Sequence, residues 1–198
     1  APDAADALAA RIREELLELF RHGVGAEVLQ QAQTLGLMQP MMGGYAPGKA
    51  TFRLLQELNR YFQKLGKVDE AMILAALFID HFWQKCPVKA SLPINEVVQS
   101  AGHLLTPYCT HFRLSHGLRH QARELLVGCY RFARGPGHRG QKRFLHNPAT
   151  PLALEMFRLW TDASNGDRVL LATWQKALHS RDEKAHQPAR DATRRTRR

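Results

Sequence analysis

Apolar residues recur at three- and four-residue steps along most of the chain, which is the spacing of amphipathic helices. The first stripe, over residues 7–20, consists of Leu8, Ile12, Leu16 and Leu19. Glycine and proline positions interrupt the pattern, and no segment alternates as a strand would. We therefore predict an all-α fold, a multi-helix body without a sheet. Further helices are predicted over residues 26–35, 49–65, 70–85, 94–105, 116–134, 147–162 and 167–179.

Several predicted helix ends rest on local chemistry. Asp69 is placed to cap the helix over residues 70–85, because a carboxylate stabilises the free N–H groups at a helix N-terminus. That helix is apolar around nearly its whole circumference, so we expect it in the middle of the core. Asn147 and Pro148 favour a helix start. Pro107 is expected to end the helix before it.

The composition fits a globular protein that stays outside the membrane. The 198 residues are 44% hydrophobic, enough to bury a core. The longest apolar run, residues 71–79, is too short to span a bilayer, so no membrane insertion is expected. No secretory signal pattern is visible. Three cysteines cannot all pair, which predicts reduced thiols and a cytoplasmic location.

Positive charge is concentrated in one stretch of a chain whose net charge is +10. Between residues 111 and 146, eight basic side chains are opposed only by Glu124. Arginine and lysine neutralise phosphates, so this stretch predicts an RNA-backbone surface. Tyr130, Phe132 and Phe144 are interleaved as candidate stacking faces. The alternatives are a solvated basic face and a helix lying on anionic lipid. The predicted RNA-binding residues are Arg113, Arg119, Arg123, Arg131, Arg134, Arg139, Lys142 and Arg143.

The last residues form a second basic segment. From residue 181 onward large apolar residues are absent, and seven basic residues face three acidic ones. We expect a flexible, disordered tail that acts as an electrostatic arm. The predicted organisation is a helical neck and body region over 1–110, a helical basic RNA-binding region over 111–180, and the tail over 181–198. The tail adds four residues to the predicted RNA-binding set: Arg194, Arg195, Arg197 and Arg198.

Other kinds of site have weaker support. Residues 43–49 have the glycine and lysine spacing of a phosphate-binding loop, but Ala50 stands where a hydroxyl residue is needed and no strand precedes it. A zinc site would match no standard spacing. The chain has no Asp-x-Asp pair and no nucleophile-elbow motif, so we expect no catalytic and no metal-binding residues. The side chains considered as zinc ligands are those of Cys109, His111, His116 and His120.

Three segments are similar to segments of one known family. Residues 11–20 read Arg-Ile-Arg-Glu-Glu-Leu-Leu-Glu-Leu-Phe, residues 35–40 read Leu-Gly-Leu-Met-Gln-Pro, and residues 142–148 read Lys-Arg-Phe-Leu-His-Asn-Pro. They resemble the neck helix, the following hydrophobic-proline loop and the Arg-Phe-Leu-x-His-Pro block of bacterial poly(A) polymerase, a relative of the tRNA CCA-adding nucleotidyltransferases. Asn147 departs from the family's histidine before the proline.

The resemblance implies the C-terminal, RNA-holding portion of a polymerase that adds AMP from ATP to RNA 3′ ends. Its partner would be single-stranded RNA. ATP and Mg²⁺ are implied for the full-length enzyme, and no cofactor is expected in this chain. The family's catalytic head is not among these residues, so the chain alone is expected to be inactive. The alternative is a stand-alone helical nucleic-acid-binding adaptor, and the oligomeric state stays open.

Overall fold

The computed structural model describes residues 4–42 and 44–186, with side chains over 7–42 and 44–181. In this part of the chain every regular element is helical and no strand is present, which confirms the all-α fold. A 3₁₀ turn covers Val88–Ala90. The α-helices are α1 (Ala4–Arg21), α2 (Gly25–Thr34), α3 (Met38–Met41), α4 (Lys49–Leu65), α5 (Glu70–Leu77), α6 (Ile79–Lys85), α7 (Ile94–His111), α8 (His116–Ala133), α9 (Gln141–Leu145), α10 (Thr150–Ser164) and α11 (Arg168–His186).

The apolar helix predicted over residues 70–85 is two helices. Its start is confirmed, because the Asp69 carboxylate accepts a hydrogen bond from the Met72 N–H at 3.0 Å. All residues from 71 to 79 are buried, which confirms the central position. The helix breaks at Phe78, whose N–H bonds to the Ala75 carbonyl. The break contains neither glycine nor proline, and it is accompanied by a long-range bond in which the Tyr45 hydroxyl donates to the Leu77 carbonyl.

Two predicted boundaries near prolines are wrong. Pro107 lies inside α7, which continues to His111. A proline there removes one backbone bond and crowds the carbonyl four residues earlier, at a cost of about 3 kcal/mol. Burial of Tyr108 and Cys109 holds the last turn against the core. α10 begins at Thr150 instead of near residue 147, because the Asn147 side chain accepts from the Ala149 N–H and forms a turn before the helix.

The predicted start of the disordered tail, at residue 181, lies before the end of the last helix. α11 is helical through His186, so residues 181–186 are not the disordered segment that the composition predicts. Arg181 donates a hydrogen bond to the Leu145 carbonyl at the end of α9, and this contact supports the added turn. The remainder of the predicted tail, residues 187–198, lies outside the described residues.

Buried side chains from both predicted regions meet in one hydrophobic cluster. α8 is at its centre and packs against α5, α7 and α10, while α4 packs against α2 and α10. The division predicted between residues 110 and 111 falls in the last turn of α7. Over the described part of the chain, no helix is both long and apolar enough to cross a bilayer.

Candidate nucleic-acid interface

The basic side chains of α8 follow one side of the helix. α8 starts at a serine cap, in which the Ser115 hydroxyl accepts from the Leu118 N–H at 3.2 Å. One side buries Ala122, Leu125 and Cys129 in the core, which turns the basic stripe toward solvent. With a rise of 1.5 Å per residue, the stripe from residue 116 to residue 134 extends over about 27 Å. It consists of His116, Arg119, Arg123, Arg131 and Arg134.

A groove of about 300 Å³ lies between α7 and the first half of α8. We call it the α7–α8 groove. Gly102 lies in its lining, and the nearest heavy atom to a Cβ at this position would be Cδ of Arg123, at 3.9 Å. The groove is therefore a shallow channel with a positively charged wall. Its lining includes Val98, Gly102, His103, His116, Arg119 and Arg123.

Histidines orient the arginines in this groove. Nη2 of Arg119 lies 3.0 Å from Nδ1 of His116, and Nη2 of Arg123 lies 2.6 Å from Nδ1 of His120. A guanidinium can only donate, so each Nδ1 accepts. The two imidazoles thus turn a lone pair toward an arginine and not toward a metal ion. Within the described residues, no group of three or more His, Cys, Asp or Glu side chains is placed to hold a metal.

A second groove, of about 440 Å³, lies between the second half of α8 and α9. We call it the α8–α9 groove. α9 folds back beside α8 because the connection turns at Gly135, Gly137 and Gly140, which adopt φ values of 86°, 90° and 83°; left-handed backbone of this kind favours glycine. Val98 lines both grooves, so they form one continuous surface. The lining includes Ile94, Val98, Arg131, Arg139, Arg143 and Phe144.

Arg131 is the most enclosed cation of the α8–α9 groove. Its guanidinium lies 5.2 Å from the centroid of the Phe144 ring, close enough for a cation–π contact. Burial, together with the nearby charge of Arg134, lowers the pKa of Arg131, although arginine stays protonated at neutral pH. Arg134 itself contacts His138, with Nη2 3.2 Å from Nδ1.

The prediction that three aromatic rings offer stacking faces is wrong for Tyr130 and Phe132. Tyr130 and Phe132 are fully buried and belong to the core. Phe132 packs against Phe157 and Trp174, and the Trp174 indole N–H donates to the Phe132 carbonyl at 2.9 Å. Phe144 is half-buried and lines the α8–α9 groove. The three-residue step from Cys129 already puts Phe132 on the buried face of α8, whereas the burial of Tyr130 depends on neighbouring helices.

Five of the eight basic residues predicted in the helical region line the joined grooves. Arg134 lines a small adjoining pocket that shares Arg131 and Arg139 with the α8–α9 groove. The other two line none of these. Arg113 lies in the turn between α7 and α8, with a φ of 49°, and Lys142 is exposed on α9 outside both linings. The four arginines at 194, 195, 197 and 198 lie outside the described residues. Sequence reasoning missed the wall that α7 supplies through Ile94 and Val98, because nothing in the spacing of α7 marks it as the partner of α8.

The glycine-rich loop before α4 does not present an empty anion site. The backbone N–H of Thr51 donates to Oδ2 of Asp80 at 3.1 Å. A Cβ at Gly48 would overlap the same carboxylate, so the side chain sits tightly against the helix N-terminus. The position that a phosphate would take in a nucleotide-binding loop is therefore filled by a carboxylate of the chain itself.

The cysteines are poorly placed to act as nucleophiles. Cys86, Cys109 and Cys129 are free and buried. Burial raises the pKa of all three thiols, that of Cys109 to about 11. Since the thiolate is the reactive form, little of it exists at neutral pH.

The chain was compared with protein-family models and with curated proteins, and neither comparison found a match.

Proposed function

We propose that this chain binds single-stranded RNA along the α7–α8 and α8–α9 grooves. One observation carries the proposal: six arginines that are spread over 25 residues of sequence come together on one continuous surface. Each arginine offers a planar set of donors that matches phosphate oxygens. Binding phosphates releases counterions and favours association without reading sequence.

The apolar part of the grooves favours a single strand over a duplex. Ile94, Val98 and Phe144 lie between the arginines. Unpaired bases can stack on such side chains, whereas the bases of a duplex are already stacked on one another. The histidine contacts of Arg119 and Arg123 hold the guanidinium groups in place before binding, which lowers the entropic cost of ordering them.

The wider role rests on the resemblance to bacterial poly(A) polymerase. In this proposal the chain is the RNA-holding portion of a cytoplasmic enzyme that adds AMP to RNA 3′ ends, and the catalytic head with its ATP and Mg²⁺ is outside these residues. Primer extension separates this role from that of a stand-alone adaptor. The chain alone should not extend an RNA primer with ATP and Mg²⁺, and a family head fused before α1 should restore extension.

A salt titration tests the RNA surface. Changing Arg119, Arg139 and Arg143 together to Ala should weaken binding of a fluorescent single-stranded RNA. The log–log dependence of affinity on salt should become shallower by about two units, since each phosphate contact contributes about 0.7. Fluorescence anisotropy at several salt concentrations measures both quantities.

A matched variant controls for total charge. Arg53, Lys64 and Lys67 are exposed on or just after α4, and none lines the two grooves. Changing all three to Ala removes the same charge and should leave the slope of RNA affinity against salt concentration nearly unchanged. Equal slopes for both triple variants would show that the charge acts only as a diffuse field, and an unaltered slope in the groove variant would refute the proposal.

A further inference from the structure

A second cleft lies on the other side of α7 from the α7–α8 groove. It encloses about 510 Å³, within the size range of small-ligand sites. We call it the aromatic cleft. Its walls come from the loop before α4, from the α5–α6 break and from α7, and most of them are apolar. The residues that line the cleft include Tyr45, Phe78, Lys85, His103, Leu104 and Tyr108.

The aromatic wall is held in a fixed arrangement. The Tyr45 ring stacks on Phe78 with centroids 4.3 Å apart, and Phe78 meets the edge of Tyr108 at 5.3 Å. The Tyr45 hydroxyl donates to the Leu77 carbonyl and lies 3.3 Å from Nδ1 of His81. A wall fixed by these contacts loses little freedom when a planar ligand packs against it.

The mouth of the cleft differs from its floor. Phe78 and Tyr108 are buried at the floor, whereas Lys85 and His103 are exposed at the mouth. An apolar, aromatic interior with cationic or polar groups at the mouth matches a nucleotide, in which a planar base is attached to an anionic phosphate. The three aromatic rings in its lining favour a planar group over a lipid tail.

The cleft and the α7–α8 groove meet at one residue. His103 lines both, while Leu104 faces the cleft and Gly102 faces the groove. Only the width of one helix separates the two sites, about 10 Å with side chains. A strand lying in the groove can therefore reach across α7 at His103.

We propose that the aromatic cleft takes one unstacked base of an RNA strand whose backbone lies in the α7–α8 groove. This inference rests on the proposed RNA-binding function and adds to it a specific site for a base. The neighbouring phosphate would lie at the mouth, beside Lys85. Base–aromatic stacking then contributes to affinity in a way that charge alone cannot reproduce.

Abasic RNA tests the base site. Wild-type protein should bind an adenine oligonucleotide at least about fivefold more tightly than an abasic strand of equal length and charge, the lower limit expected for stacking of one base. Leu104→Trp fills the cleft from an already half-exposed position. It should weaken binding of the adenine strand by about five- to 100-fold, the range expected for losing one stacked base, and leave the affinity for the abasic strand unchanged.

Lys85→Ala is a second variant that leaves the walls intact, and Lys89→Ala is its control, an exposed lysine outside the cleft lining. Lys85→Ala should weaken RNA binding about threefold or more, and Lys89→Ala should not. Circular dichroism would verify that each variant is folded. If the wild type binds neither strand, the RNA-binding function itself fails. If it binds the strands and Leu104→Trp leaves the affinity for the adenine strand unchanged, only the base site is refuted.

A free mononucleotide carries the same base and phosphate as a unit of an RNA strand. Competition by AMP distinguishes these two possible ligands of the cleft. Millimolar AMP should compete only weakly with the strand, because the free nucleotide lacks the groove contacts. Tight AMP binding that Leu104→Trp abolishes, with equal affinities for the adenine and abasic strands, would overturn the assignment to a strand.

Discussion

Gly128 shows how one missing side chain sets the distance between two helices. It lies on α8 directly against α10, and a Cβ at this position would come within 2.5 Å of the Cβ of Ala153. The Ala153 Cβ is attached to backbone and cannot rotate away. α8 and α10 can therefore pack this closely only while residue 128 is glycine.

Gly128→Ala should destabilise the protein by about 1–2 kcal/mol. Overpacking costs roughly 1–3 kcal/mol, which exceeds the gain of up to about 1 kcal/mol from replacing glycine by alanine in a helix. Gly102→Ala on α7 is the matched control. Its Cβ would meet nothing closer than 3.9 Å, so it should stabilise by about 0.5–1 kcal/mol.

Urea unfolding followed by tryptophan fluorescence would measure both glycine variants. The expected result is a change of opposite sign in the free energy of unfolding. Stabilisation by Gly128→Ala would mean that the α8–α10 contact adjusts at no cost.

At the scale of elements, α4 depends on a residue far along the chain for its start. The helix begins after Gly48, which has no side chain to cap it. Asp80 of α6 supplies the carboxylate instead, through the N–H of Thr51. The loop between α3 and α4 is thus tied to the α5–α6 break twice, once by Asp80 and once by Tyr45.

Asp80→Ala should lower the free energy of unfolding by about 1 kcal/mol, the usual cost of losing a capping side chain. Asp80→Asn should cost less, because the amide oxygen still accepts the hydrogen bond while the favourable charge at the helix N-terminus is lost. Thermal and urea unfolding of the two variants would test the order. Equal losses in both would show that charge, and not the hydrogen bond, provides the stabilisation.

At the scale of the molecule, the buried side chains are continuous across the division predicted at residue 110. α5 and α7 pack against α8, and α4 packs against α10. Trp83 of α6 stacks against Trp160 of α10, with ring centroids 6.1 Å apart. A core shared in this way couples the two regions energetically.

The whole chain should therefore unfold in one cooperative transition. Far-ultraviolet circular dichroism follows all helices, and the fluorescence of a Trp160→Phe, Trp174→Phe variant follows Trp83 alone. In that variant, the unfolding midpoints measured by circular dichroism and by fluorescence should coincide, as expected for a two-state protein. Two separated transitions, with Trp83 reporting only one of them, would instead support independent regions over 1–110 and 111–180.

Much of the fold could be predicted because helix formation is expressed in local spacing. The apolar stripes and the glycine and proline breaks located most of the longer helices, and Asp69 marked its helix start correctly. The misplaced boundaries have tertiary causes. α7 passes through Pro107 because buried neighbours hold its last turn, and the chain breaks at Phe78 where the distant Tyr45 bonds to the Leu77 carbonyl.

The sequence by itself determined the all-helical class, the buried position of residues 71–79 and the presence of a strongly basic stretch, because periodicity and charge are properties of neighbouring residues. Only the tertiary structure decided which arginines share a surface, that α7 forms its other wall, and that Tyr130 is core. Those facts depend on how α7, α8 and α9 are placed relative to one another, and that placement is set by contacts such as Gly128 with Ala153, between residues distant in the chain.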